Sequence, residues 1–118
     1  MHPIEFCGET TTEFTKTMRA NIPGINPEDV TFEKLEGTPY DKIVQLRIMC
    51  STRISESESI SYSGILPVEL KDFYGFDYFV RNGVLEIILY KEKKSNIQQL
   101  SFGSVFNTKY PKEKRCWA

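Results

Sequence analysis

The sequence predicts an all-β fold, an antiparallel sandwich, on three observations. Apolar and polar residues alternate with period two over several short stretches, the spacing of strands with one buried face. Proline, glycine, asparagine and aspartate punctuate those stretches at close intervals, as in sandwiches built from hairpins. No stretch carries the 3.6-residue apolar spacing of a full-length helix. With 118 residues, 40% hydrophobic and 26% charged, the chain can bury the core of one globular domain.

Each element follows from its own pattern. In EFTKTMRANIP, Phe14, Met18, Ala20 and Ile22 share a face, with Lys16 out of phase at an exposed start. PGINPEDV has two prolines and a glycine and reads as a loop. VTFEKL sets Val30 and Phe32 opposite Thr31 and Glu33. EGTPYD is a turn, and IVQLRIMC places Val44, Leu46, Ile48 and Cys50 on one side. STRISESES, residues 51–59, is polar and reads as a loop. ISYSGIL resumes the alternation through Ile60, Tyr62 and Leu66, and Pro67 is expected to end that strand by removing a donor. VELKDFYG is a connector with at most a helical turn. FDYFVR and VLEIILY form a hairpin across Asn82-Gly83, a pair that tolerates positive φ at both central positions of a type I′ turn.

The resulting organisation is a short N-terminal arm over 1–13, a sandwich domain over 14–93 and a C-terminal extension over 94–118. The extension holds an apolar patch, IQQLSFGSVF, followed by a basic tail. Residues 1–90 carry a charge balance of −6 and residues 91–118 one of +5, so an acidic body trails a basic end. That tail reads as a solubilising extension, and nucleic acid is not expected as a partner: no aromatic–basic alternation of the RNA-binding kind is present. No apolar run reaches the ~18 residues of a membrane span. The start lacks the basic and apolar regions of a signal peptide, so a cytoplasmic location is expected.

Little in the chain points to catalysis, and no enzyme is predicted. The sole histidine is His2, which leaves no Ser–His–Asp or Cys–His set. Glycines 24, 37, 64, 75 and 83 are isolated, so no phosphate-cradling loop forms. Glu56 and Glu58 in SESES supply too few oxygens for a calcium loop. Cys7, Cys50 and Cys116 are odd in number and widely spaced, against a disulfide framework; Cys50, on an apolar phase, reads as a buried filler. No cofactor and no metal site is expected.

Three motifs stand in order: IPGINPEDV (Ile22, Pro23, Gly24, Pro27, Glu28, Asp29, Val30), then Leu66-Pro67, then Asn82-Gly83-Val84-Leu85. In this arrangement residues 14–93 resemble the α-crystallin domain of the small heat shock proteins. The resemblance implies an immunoglobulin-like β-sandwich and ATP-independent binding of unfolding client proteins. It also implies self-association as a homodimer or small homo-oligomer, with an apolar motif of the C-terminal extension docking into a neighbour's groove. Leu85, Ile87 and Leu89 would face the core. Val84, Ile88 and Tyr90, on the other face of the same strand, become the candidate groove for a partner or client. No Ile-x-Ile occurs in the tail. Leu100-Ser101-Phe102, with Ile97 beside it, is the nearest docking motif, each knob contributing about 2 kcal/mol on burial.

The chain departs from the family pattern at Tyr78, where alanine is usual. Its 51–59 loop is also too short for the long strand-exchanging loop, and its arm is short. A weak chaperone and a small assembly are the corresponding expectations. The rival reading on the same sandwich is a p23/CS-like co-chaperone or adaptor that contacts one folded partner through the basic aromatic tail.

Overall fold

The computed structural model describes residues 2–36, 42–92 and 97–100. Among the described residues, nine strands form two sheets. The first sheet has the order β1 (His2–Pro3), β6 (Ser59–Glu69), β5 (Ile43–Arg53), β4 (Val30–Glu36). The second has the order β2 (Phe6–Thr11), β3 (Thr15–Asn21), β8 (Val84–Tyr90), β7 (Gly75–Arg81), β9 (Gln98–Gln99). Every pairing is antiparallel except β1 on β6, which is parallel, so the sandwich is mixed at that one edge.

The period-two phases set the core. Val44, Leu46, Ile48 and Cys50 of β5 alternate with exposed residues, and Leu85, Ile87 and Leu89 of β8 face them from the opposite sheet. Ala20 and Ile22 are buried, Met18 packs partly against the core, and Phe14 is half exposed, just ahead of the strand. Phe32 of β4 packs its ring against Phe76 and Tyr78 of β7, with centroids 4.9 Å apart in each pair, a tilted geometry that favours aromatic contacts. Tyr78 therefore fills the inter-sheet space where a small residue would leave a void. Burial lifts the Cys50 thiol to a pKa of about 11, with the nearby Asp29 charge adding to the effect.

Several boundaries differ from the sequence expectation. Residues 2–11 of the arm form β1 and β2, which pair into both sheets. Their weak alternation, interrupted by a register shift between Phe6 and Gly8, hides them from pattern reading. Pro67 does not end its strand; β6 continues to Glu69, with Pro67 opposite Gln45. Among the described residues β1 flanks β6 only at Tyr62 and Ser63, so Pro67 lies where β6 has an open side and can lack a donor. The polar 51–59 stretch belongs largely to the β5–β6 ladder, which runs to Arg53 opposite Ser59 and leaves only residues 54–58 as the turn. There Arg53 donates to the carbonyls of Ser55 and Glu56 at 3.1 and 2.8 Å. The EGTPYD turn lies mostly outside the described residues, as does Cys116.

Two of the sequence motifs meet in space. Asn82 and Gly83 adopt φ of 51° and 73°, the positive pair expected of their turn. The Ile22 amide donates to the Gly83 carbonyl at 2.7 Å, and a Cβ on Gly83 would approach Pro23 Cα at 3.1 Å. The Ile-Pro-Gly turn thus closes against the Asn-Gly turn. The Tyr62 hydroxyl donates to the Pro23 carbonyl at 3.3 Å and ties the first sheet to the same end.

Candidate apolar surface and edge-docking segment

The hairpin register turns the sequence row into a surface. Counting outward from Asn82-Gly83, Arg81 pairs with Val84, Phe79 with Glu86, Asp77 with Ile88 and Gly75 with Tyr90. On the other side β3 sets Asn21, Arg19, Thr17 and Thr15 opposite Val84, Glu86, Ile88 and Tyr90. Since Phe76, Tyr78 and Val80 point into the core, these partners form the outward face of the second sheet.

A shallow cleft of ≈ 390 Å³ lies on that face. Val84 and Ile88 line it, together with Phe79, Arg81, Arg19 and Glu86. Tyr90 does not line it; it lies one row beyond Ile88 and is half-buried. Burial raises the Tyr90 phenol pKa, and the Asp77 charge raises it further. Arg19 is held in place by Glu86 at 3.8 Å and by the Thr10 hydroxyl at 3.1 Å. Asp77, on the outward phase of β7, is only 7% exposed, and one of its oxygens accepts from the Tyr78 amide at 2.8 Å.

Phe79 and Arg19 do not stand out in the sequence. The signal for Phe79 was present: folding the chain at a two-residue turn places it directly across from Glu86, between Val84 and Ile88. Arg19 needed the β3–β8 pairing, a long-range contact without a local cue.

The docking residues occupy a different place from the Val84–Ile88 row. Ile97 and Leu100 flank β9, which adds to the free edge of β7 in the same chain, Gln98 opposite Phe76 and Gln99 opposite Gly75. Leu100 is fully buried, and its amide donates to the Tyr74 carbonyl at 3.0 Å; Ile97 is 9% exposed. Phe102 lies outside the described residues.

Gly75 makes this approach possible. A Cβ there would meet the Gln98 carbonyl oxygen at 2.4 Å and Ile97 Cδ1 at 2.6 Å. The other end of the chain repeats the device: the Ile4 amide donates to the Ser63 carbonyl at 2.8 Å, and a Cβ on Gly64 would sit 3.0 Å from Ile4 Cβ.

Among the described residues, no group of three or more His, Cys, Asp or Glu side chains is arranged to hold a metal ion. No helix among them is long and apolar enough to cross a membrane.

No protein-family model matches the chain, and no curated protein sequence does. Solved structures do. HSP18.5 from E. histolytica is similar with a TM-score of 0.52 at 15% identity, over 81% of this chain and 94% of that one. Heat shock protein 16.0 from Schizosaccharomyces pombe gives a TM-score of 0.49 at 19% identity, over 80% and 70% of the two chains. HspA from Xanthomonas axonopodis gives 0.47 at 23% identity, over 77% and 95%. The overlap with HSP18.5 carries the fold assignment: this chain has the β-sandwich of the small heat shock proteins.

Proposed function

We propose that the chain is an ATP-independent chaperone of the small heat-shock type, which holds the exposed apolar surface of unfolding proteins. The observation that carries this reading is the cleft lined by Val84, Ile88 and Phe79 on the outward face of a small heat-shock sandwich. Val84, Ile88 and Phe79 offer apolar area around the Arg19–Glu86 pair, and binding by area suits partners that share hydrophobicity and no sequence. Val84, Ile88 and Tyr90 form the client row in this reading, in a cytoplasmic setting.

Ile97 and Leu100 serve as the docking knobs, seated in cis. A segment seated on its own β7 edge is not available to a neighbour, so the assembly is a homodimer or small homo-oligomer. Phe102 belongs to the same extension.

The test is light scattering of a heat-labile client warmed without nucleotide, with rising amounts of the chain. Suppression near equal subunit stoichiometry, reduced by Val84→Asp with Ile88→Asp, supports the reading. Aggregation undiminished at large excess overturns it in favour of the adaptor that contacts one folded partner.

A further inference from the structure

The cleft on the second sheet carries charge as well as apolar area, and that charge has a sign. Arg19, Arg81 and Glu86 line it beside Val84, Ile88 and Phe79, two cations to one anion. Residues 1–90 as a whole run the other way, with 8 Lys and Arg against 14 Asp and Glu. We infer that the cleft takes extended client segments in which an aliphatic residue stands between two carboxylates, selected by Arg19 and Arg81. This selection rests on the cleft being the client surface and names the class of segment held there.

The strand register sets the two arginines on either side of β8. One row across the sheet reads Asn21, Val84, Arg81, and the next reads Arg19, Glu86, Phe79. Neighbouring strands lie ~4.8 Å apart and successive outward rows ~6.7 Å, so the two arginine backbones are about 12 Å from each other. On an extended segment, residues i and i+4 point the same way about 13 Å apart, with residue i+2 between them. Carboxylates at i and i+4 therefore match the arginines. An aliphatic side chain at i+2 then lands over β8, beside Val84.

Arg19 is prepared for an incoming carboxylate. The Thr10 hydroxyl accepts from its Nη1 at 3.1 Å and steadies the guanidinium. Its other contact among the described residues, Nε to Glu86, is 3.8 Å, longer than a hydrogen bond, with the side chains 38% and 32% exposed. A fork of five donors engaged so lightly can add a two-point bond to a carboxylate. Arg81 is exposed at the turn end of the same cleft. On the outward face of the first sheet, by contrast, Arg47 stands across from Ile65 and is matched by Glu33 at 3.5 Å.

Fluorescence anisotropy of the full chain with three labelled peptides tests the selection. Each peptide has isoleucine at the centre of an extended, threonine-rich background. The residues two places to either side are aspartate in one, asparagine in the second and lysine in the third. At low salt the aspartate peptide should bind about tenfold tighter than the lysine peptide, with asparagine between them, and high salt should shrink the ratio. Arg19→Gln with Arg81→Gln should bring the ratio near one. Glu86→Gln removes the competing carboxylate and should tighten the aspartate peptide further, a gain that misfolding would not give. Equal affinity for the three peptides, or a ratio that survives the double arginine change, overturns the selection and leaves the chaperone reading standing. Client suppression without binding of any peptide does the same. Selective binding of the aspartate peptide without any client suppression would keep the charge preference and remove the chaperone reading.

Discussion

The β5–β6 ladder and the two chain ends solve the same problem at opposite extremes. β5 and β6 pair along eleven residues each in unbroken register, with Val44, Leu46, Ile48 and Cys50 alternating into the core. β1 and β9 are two residues each, and they lie on the edges of β6 and β7. Both short strands bring isoleucine against a glycine, Ile4 at Gly64 and Ile97 at Gly75. The long ladder is specified by repetition. The short ones are specified by a gap left in their neighbour, and they cover strand edges that would otherwise offer unpaired backbone to other chains.

The largest expected effect separates these modes. Leu46→Ala removes a fully buried side chain from the centre of the ladder and should cost about 3 kcal/mol, read as a lower urea midpoint with an unchanged slope. Gly75→Val should instead lift β9, because the new Cβ collides with backbone at Gln98. Loss of the Ile97 and Leu100 burial is worth about 2 kcal/mol after partial re-covering. Its signature is fast hydrogen exchange at the Leu100 amide while Leu46 and Ile48 stay protected. Equal loss of protection at all three would show that strap and ladder open as one unit.

A change of pH tests the ladder through Cys50. The Cys50 pKa is raised in the folded state, so the unfolded chain loses that proton first. Its contribution is complete below about pH 8.5, the ordinary thiol value, and is lost as pH rises through the folded value of about 11. Urea midpoints should fall across that window by an amount on the order of 2 kcal/mol, and Cys50→Ala should flatten the slope. Tyr90, also raised, adds in the same direction at the alkaline end. Gly64→Ala should have the smallest effect, below about 1 kcal/mol, because Ile4 Cβ lies at 3.0 Å and can yield slightly. The Ile4 amide should exchange faster in that variant.

What was legible in the sequence follows the same division. Alternation exposed β3, β4, β5, β7 and β8, because each sets apolar core residues at every second position. The Asn-Gly pair fixed the last hairpin to the residue, and with it the outward positions of Val84 and Ile88. β1 and β9 carry no period, since two residues cannot show one. Their positions depend on spaces beside Gly64 and Gly75 that exist only after the sandwich has closed. Pro67 misled because its cost depends on which side of the strand is open, a property of the sheet and not of the dipeptide. For the surface, half of the cleft was readable as a row on β8, while Arg19 and Phe79 came from partners brought across by β3 and β7.

The two outward faces of the sandwich offer the sharpest contrast for function. Ile65 on the first sheet is 51% exposed and stands across from Arg47, whereas Ile88 on the second is half-buried in the cleft. The measurement that most directly tests the central claim places a photo-crosslinking residue at position 88 in one protein and at position 65 in another. Each is irradiated with a client at its unfolding temperature. Client adducts at 88, with few at 65, are the predicted result. Equal capture at the two positions, or capture at 65 alone, would contradict the assignment of the second sheet as the binding face.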